Sequence, residues 1–281
     1  MHATSRSPLA RSRLALPAAA LILALGLAGC ETVQTTQPGA VGVTRTQRMA
    51  VSSEEIQAAS AQAYRDLLQE AASEGVLDRD AAQVARVRDV TARLVPATSA
   101  FRPEALGWTW EAHLFDTNEI NAFCMAGGKI GVYSGLLDRL QLTDAELAAV
   151  IGHEMAHALR EHVREQVSLQ QAQELPLAIL SAVTGNEGLA QLGDMVADVT
   201  LSLPRSRQAE LEADRIGVEL AARAGFDPTA AVSLWRKMRS AGGGAPPEFL
   251  STHPSAADRE AQLVQAAQVV MPLYRQAVAR R

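Results

Sequence analysis

Cysteine is nearly absent: Cys30 and Cys124 are the only two among 281 residues. That count excludes a disulfide-stapled scaffold. Aromatic residues make up 4% and charged residues 20%, against 48% apolar, the profile of a globular chain and neither a disordered nor a collagen-like one. A basic excess is also missing. The formal net charge of −5 argues against nucleic acid as a partner. Lysine is almost replaced by arginine, 2 against 24, which reads as genomic composition and not as a functional patch. No internal repeat is visible, and no apolar run reaches the roughly 20 residues that a spanning helix needs.

The longest apolar run, Leu14 to Leu27, follows a basic stretch with Arg6, Arg11 and Arg13. Its length and flank are those of a secretory h-region. Leu27-Ala28-Gly29-Cys30 comes next and resembles the bacterial lipobox, in which the cysteine is acylated and becomes the first mature residue. The expected organisation is a signal peptide over 1–29, a flexible tether over 30–50 from a lipidated Cys30, and one folded domain over 51–281. The tether expectation rests on the polar, Thr- and Gln-rich, aperiodic composition after Glu31. Several acyl chains suffice for stable membrane anchoring. Glu31, in place of Asp, resembles the sorting signal for the outer membrane, facing the periplasm. With Cys30 acylated, Cys124 has no partner for an internal disulfide.

Helical periodicity runs through Ser52–Ser73 and Asp80–Leu94. Alternation over Trp108–Phe115, then Asn121–Met125 and Lys129–Ser134 around Gly127-Gly128, predicts three short strands. From Thr143, opened by a Thr-x-x-Glu capping box with Glu146, the pattern is helical to about Gln173. Leu175–Leu203 is apolar but broken at Gly185-Asn186-Glu187-Gly188, giving two short helices that serve as a lid or as core. Helices over Arg207–Ala224, Thr229–Arg239 and Ala256–Val278 complete an α+β chain, mainly helical with a small antiparallel sheet.

The chemistry centres on His153-Glu154-Met155-Ala156-His157. His153 and His157 are i and i+4, so both project from one helical face and can share a zinc ion, while Glu154 can reach a water beside it. Val150, Ile151, Met155, Ala156, Ala158 and Leu159 surround the motif, and buried imidazoles in such a stretch need partners. A third protein ligand is expected. His162 lies about 180° around a continuous helix and faces away, and His113 sits on the polar face of a strand. Glu210 and Asp214, again i and i+4, are better placed: one as ligand, the other holding a ligand imidazole, or both on a solvated acidic face. Glu212 points roughly 200° from Glu210, toward solvent.

HEMAHALREH, SRQAELEADRIGVELAARAGFDP and PPEFLSTHPSAADR, preceded by INAFCMAGGKIGVYSGLL, resemble the HtpX-like zinc metallopeptidases, family forty-eight, and within it the lipoprotein and Oma-type members. The resemblance covers about Trp108 to Leu263 with four motifs in order. It implies a gluzincin-type domain with the sheet beside the motif helix, one zinc ion per chain held by His153, His157 and Glu210, and Glu154 as acid/base. It also implies Asp214 as the family's Asp four residues past the ligand Glu, His253 as a donor to the tetrahedral intermediate, and Arg259 in support of the carboxylates. No spanning helices accompany the motifs, unlike the polytopic HtpX proteins.

The expected activity is metal-assisted peptide hydrolysis acting on unfolded or damaged envelope proteins. The substrate is expected to add as a strand along Lys129, Ile130, Gly131, Val132 and Tyr133, a mode tolerant of sequence. Two rivals are a zinc-binding assembly factor or chaperone that does not cleave, and a hydrolase of peptidoglycan peptides. Oligomeric state has no signature in the sequence.

Overall fold

The computed structural model describes residues 31–178, 186–241, 247–254 and 257–280. The expected signal peptide and Cys30 lie outside these residues. Two short strands, β1 (Glu31–Val33) and β2 (Gln47–Met49), pair antiparallel. They are followed by α1 (Ser53–Ser73), α2 (Ala81–Leu94) and two 3₁₀ turns at Val95–Ala100 and Pro103–Gly107. Next come β3 (Glu111–Phe115), β4 (Ala122–Met125), β5 (Lys129–Tyr133), α3 (Ser134–Leu140) and α4 (Asp144–Leu159). The chain ends with α5 (His162–Ala178), α6 (Asn186–Leu201), α7 (Arg207–Arg223), α8 (Ala230–Ala241), α9 (Glu248–Thr252) and α10 (Arg259–Ala279). Among the described residues no helix is long and apolar enough to cross a membrane.

Local signals set several boundaries. Ser52 and Thr143 both close capping boxes, with Glu55 and Glu146 respectively, so α1 and α4 begin where their first free N–H groups find acceptors. Asp80 caps α2 and Ser206 caps α7. Helix α4 is buried on all sides from Glu146 to Leu159 and packs against α7, α8, α2 and β4. It is the axis of the domain.

One boundary has no local signal. The helix from Thr143 does not continue to Gln173; it stops at Arg160, and Glu161 adopts φ +53 before α5 starts a new direction. A left-handed glutamate costs about 1 kcal/mol. Three partners offset that cost: Ser53 Oγ donates to Glu161 at 2.5 Å, Arg102 at 2.8 Å and Arg164 at 2.7 Å.

The three-stranded sheet has order β3-β5-β4 and is mixed. β5 pairs parallel with β3 and antiparallel with β4, as an ordinary hairpin partner. The expected substrate strand Lys129–Tyr133 is therefore central, and both of its hydrogen-bonding edges are taken. Gly131 is explained otherwise: a Cβ there would lie 2.2 Å from Phe123 and 2.9 Å from Phe115, so the glycine makes room for two rings. Alternating patterns mark strands but carry no information on which one is internal. The edge strand beside α4 is β4.

The segment expected as a tether is an ordered arm. Val43 and Met49 enter the core, Gln37 N–H donates to Phe101 O, and Gln47 is 1% exposed. Its polar residues are paired with the interior: Thr35 Oγ1 and Gln47 Nε2 both donate to Arg160 O, at 3.1 and 2.8 Å. Polar composition mimics disorder when its partners lie more than a hundred residues away.

Candidate metal centre

Helices α4 and α7 cross in backbone contact. A Cβ on Gly152 would sit 2.9 Å from Gly217 O, and one on Gly217 would sit 2.7 Å from His153 N. Two glycines thus let the motif helix meet the helix that carries Glu210 and Asp214. At this crossing His153 Nε2 and His157 Nε2 are 3.1 Å apart, and each lies 3.4 Å from one Glu210 oxygen. His253 joins them, so four buried groups offer ligand atoms within 4.8 Å of one another.

These residues fit a zinc ion. Both oxygens of Glu210 are buried without a hydrogen-bond partner, which is costly for a carboxylate unless a cation supplies the interaction. Two imidazole Nε2 atoms at 3.1 Å with lone pairs converging need the same cation. Donors about 2.0–2.1 Å from one tetrahedral ion stand about 3.3 Å from each other, and the observed separations are 3.1–3.4 Å. Burial disfavours a charged His153, yet the Asp214 and Glu210 carboxylates outweigh it and raise the ring's pKa to about 9. Burial, with the Arg205 charge, instead pushes His157 and His253 well below their usual value, which keeps both rings neutral.

Supporting contacts hold each group. Asp214 Oδ1 lies 3.0 Å from His153 Nδ1, leaving Nε2 for the metal. Arg259 pairs with Asp214 at 2.7 Å and Glu210 at 3.3 Å, and its Cζ stacks 3.3 Å over Trp235. Glu154 is fully buried with both oxygens unpaired, and burial, opposed by His153 and Arg205, raises its pKa to about 7. A carboxylate with that pKa and no partner can take and return a proton near neutrality.

Two orientations expected from the sequence are overturned. His162 does not face away: with the helix broken at Glu161, its Nδ1 lies 2.8 Å from His157 Nδ1. Glu212 does not point to solvent; it is 2% exposed, 3.2 Å from His162 Nε2 and bonded by Arg160 and Arg45. His113 is half-buried against Asp78 at 2.8 Å, far from ligation. His253 stacks on Phe249 and lies 3.4 Å from Glu154 Oε1, but its Nε2 accepts from Arg205 Nε at 3.3 Å. Arg205 was missed altogether, since a single arginine outside any motif carries no signal. Cys124 is free and buried, its thiol pushed well above its usual pKa by burial.

Residues 81–267 match the family described as Peptidase family M48. The chain belongs to that family. Among M48 relatives, it is 38% identical over 208 residues to the mitochondrial metalloendopeptidase OMA1 of Arabidopsis thaliana, covering 73% of this chain and 41% of that protein. It is 29% identical over 243 residues to the metalloprotease LoiP of Escherichia coli (strain K12), covering 85% of this chain and 91% of the relative. To the beta-barrel assembly-enhancing protease of the same organism it is 31% identical over 171 residues, covering 57% and 35%. The chain spans about two fifths of the length of the plant OMA1 it matches. Zinc is the metal that this M48 centre is built to hold.

Proposed function

We propose that this chain is a zinc metalloendopeptidase of the cell envelope, held at the membrane by a lipidated Cys30 and acting on unfolded or damaged envelope proteins. The observation that carries the reading is the convergence of His153, His157 and Glu210 on one point beside an unpaired Glu154. Membership of a peptidase family and likeness to LoiP over nearly its whole length support it.

His153, His157 and Glu210 would hold the zinc, and bound there it supplies a Lewis acid toward water and toward the substrate carbonyl. Asp214 keeps His153 in the tautomer with its proton on Nδ1. Arg259 limits the repulsion between Asp214 and Glu210. Glu154 accepts the proton of the attacking water on a free oxygen and returns it to the departing amide nitrogen.

The strand that offers an edge is β4 in place of β5. Tyr133 N–H donates to Asn121 O, and Phe123 and Met125 stand opposite Gly131 and Lys129. By alternation, Ala122 and Cys124 turn their backbone groups to the outer edge. A peptide added there lies along α4. All the site residues are at most 6% exposed, so an element has to move first. Helix α6, packed on α1 and β4, is the element in the way.

The test is zinc content and casein cleavage in wild type and Glu154→Gln, side by side. Both proteins are expected to bind one zinc per chain, and only wild type to cleave, with at least a thousandfold difference. Cleavage surviving in the variant would sink the peptidase reading and leave the non-cleaving zinc protein standing. Muropeptide turnover without casein turnover would move the substrate to the cell wall.

A further inference from the structure

Arg205 lies between α6 and α7, five residues before Glu210, and is 4% exposed. Its backbone N–H donates to Thr252 O at 3.0 Å, tying this turn to the segment that carries His253. The guanidinium donates from Nε to His253 Nε2 at 3.3 Å and from Nη2 to Thr200 O at 3.4 Å. Nη1 is buried with no partner. Other buried arginines obey the expected rule: Arg160 pairs with Glu212, and Arg259 with Asp214 and Glu210. Among the described residues, no carboxylate forms an ion pair with Arg205.

This exception sits at the centre of the chemistry. The Arg205 charge acts on Glu154, His157 and His253, and on Cys124 in the edge strand β4. It is therefore within electrostatic reach of both the base and the strand proposed to hold the peptide. His253 adds a second observation. An arginine only donates, so His253 Nε2 accepts, and the proton of the neutral ring resides on Nδ1, 3.1 Å from Phe249 O. The ring that the family resemblance implies as a donor to the intermediate is an acceptor at Nε2 in this arrangement. The free donor is on Arg205.

We propose that Arg205 is a catalytic residue of this hydrolysis, its Nη1–H donating to the oxygen of the scissile carbonyl and to the negative charge that develops on it. The inference rests on the peptidase reading above. As water adds to the carbonyl carbon, the C=O π pair moves onto oxygen. When the C–N bond breaks, that pair re-forms the carbonyl and the nitrogen leaves with the proton carried by Glu154. Arg205 remains protonated throughout. Being held before reaction, it stabilises the oxyanion with no reorganisation, and loss of one such donor lowers kcat about 10²–10³-fold.

The experiment compares zinc-loaded wild type, Arg205→Gln and Arg205→Lys. Two readouts are casein turnover and affinity for a phosphinic peptide, an anionic mimic of the hydrated peptide bond. A third is affinity for the ordinary peptide of the same sequence in a Glu154→Gln background. Arg205→Gln is expected to keep its zinc and thermal midpoint, lose kcat about a hundredfold or more, and bind the phosphinic peptide at least thirtyfold more weakly. Its affinity for the ordinary peptide should change less than threefold, and Arg205→Lys should recover part of both losses. A purely structural arginine would weaken both peptides alike. Equal loss for the two peptides, or unchanged phosphinic affinity, overturns the inference even where casein cleavage confirms the peptidase. Should wild type fail to cleave while phosphinic binding depends on Arg205, the anion site stands and the peptidase reading falls.

Discussion

Two side chains in line, Glu212 and His162, hold His157 from behind. Glu212, kept ionised by Arg160, Arg45 and His162, accepts from His162 Nε2. His162 Nδ1 must then accept from His157 Nδ1, which leaves the His157 Nε2 lone pair directed at Glu210. Loss of such a support costs about 10–100-fold in metal affinity. His162→Phe is accordingly expected to lower zinc affinity by that factor in a chelator competition, with the circular dichroism of wild type. Undiminished affinity would show that His157 needs no support. Asp214→Asn should have a similar effect through His153, since it removes the charge 3.0 Å from Nδ1. At this scale the pairing of His153 with His157 on one face was legible, because i and i+4 spacing survives any packing of a helix, whereas Glu210 as third ligand was implied only by the family resemblance. His162 and Glu212 were not, because their roles depend on a break at Glu161 that contains neither Gly nor Pro.

The crossing of α4 and α7 is what turns two helical motifs into one centre. Gly217→Ala places a Cβ 2.7 Å from His153 N, against backbone that has no rotamer to yield. The helices must separate, at a cost of about 1–3 kcal/mol. Urea denaturation should show that loss, and zinc should dissociate faster because His153 follows Gly152 directly. A variant as stable as wild type would mean the helices separate freely. The element boundaries from Ser52 and Thr143 followed from capping chemistry alone. The exchange of β4 for β5 as the open edge did not, since strand order is a property of pairing partners and not of any one strand's pattern.

Across the whole molecule, the N-terminal arm closes over the rear of the metal centre. Arg45 bridges Glu212 and Glu165, each at 2.5 Å, while its side chain stays 31% exposed. Arg45→Ala is expected to destabilise the fold by about 2 kcal/mol, an estimate discounted for that exposure. The same network dictates pH dependence. Burial would raise the carboxyls of Glu212, Glu165 and Glu161, but His162, Arg45, Arg102 and their other partners outweigh it and hold all three below the usual 4.5. Depressed carboxyls contribute stability that is complete above about 4.5 and lost as pH falls through their folded values. Denaturation midpoints should fall steeply with pH below 4.5, and more shallowly there in Arg45→Ala. A flat profile would remove the carboxylate network from the account.

The sequence by itself determined the metal chemistry, the starts of α1 and α4, and the family, because each is written in short-range spacing that backbone geometry converts directly into position. The tertiary structure alone decided which strand lies at the edge, that residues 31–50 fold against the domain, and that His162, Glu212 and Arg205 belong to the centre. Those outcomes depend on partners between five and 125 residues apart that only the folded chain brings together.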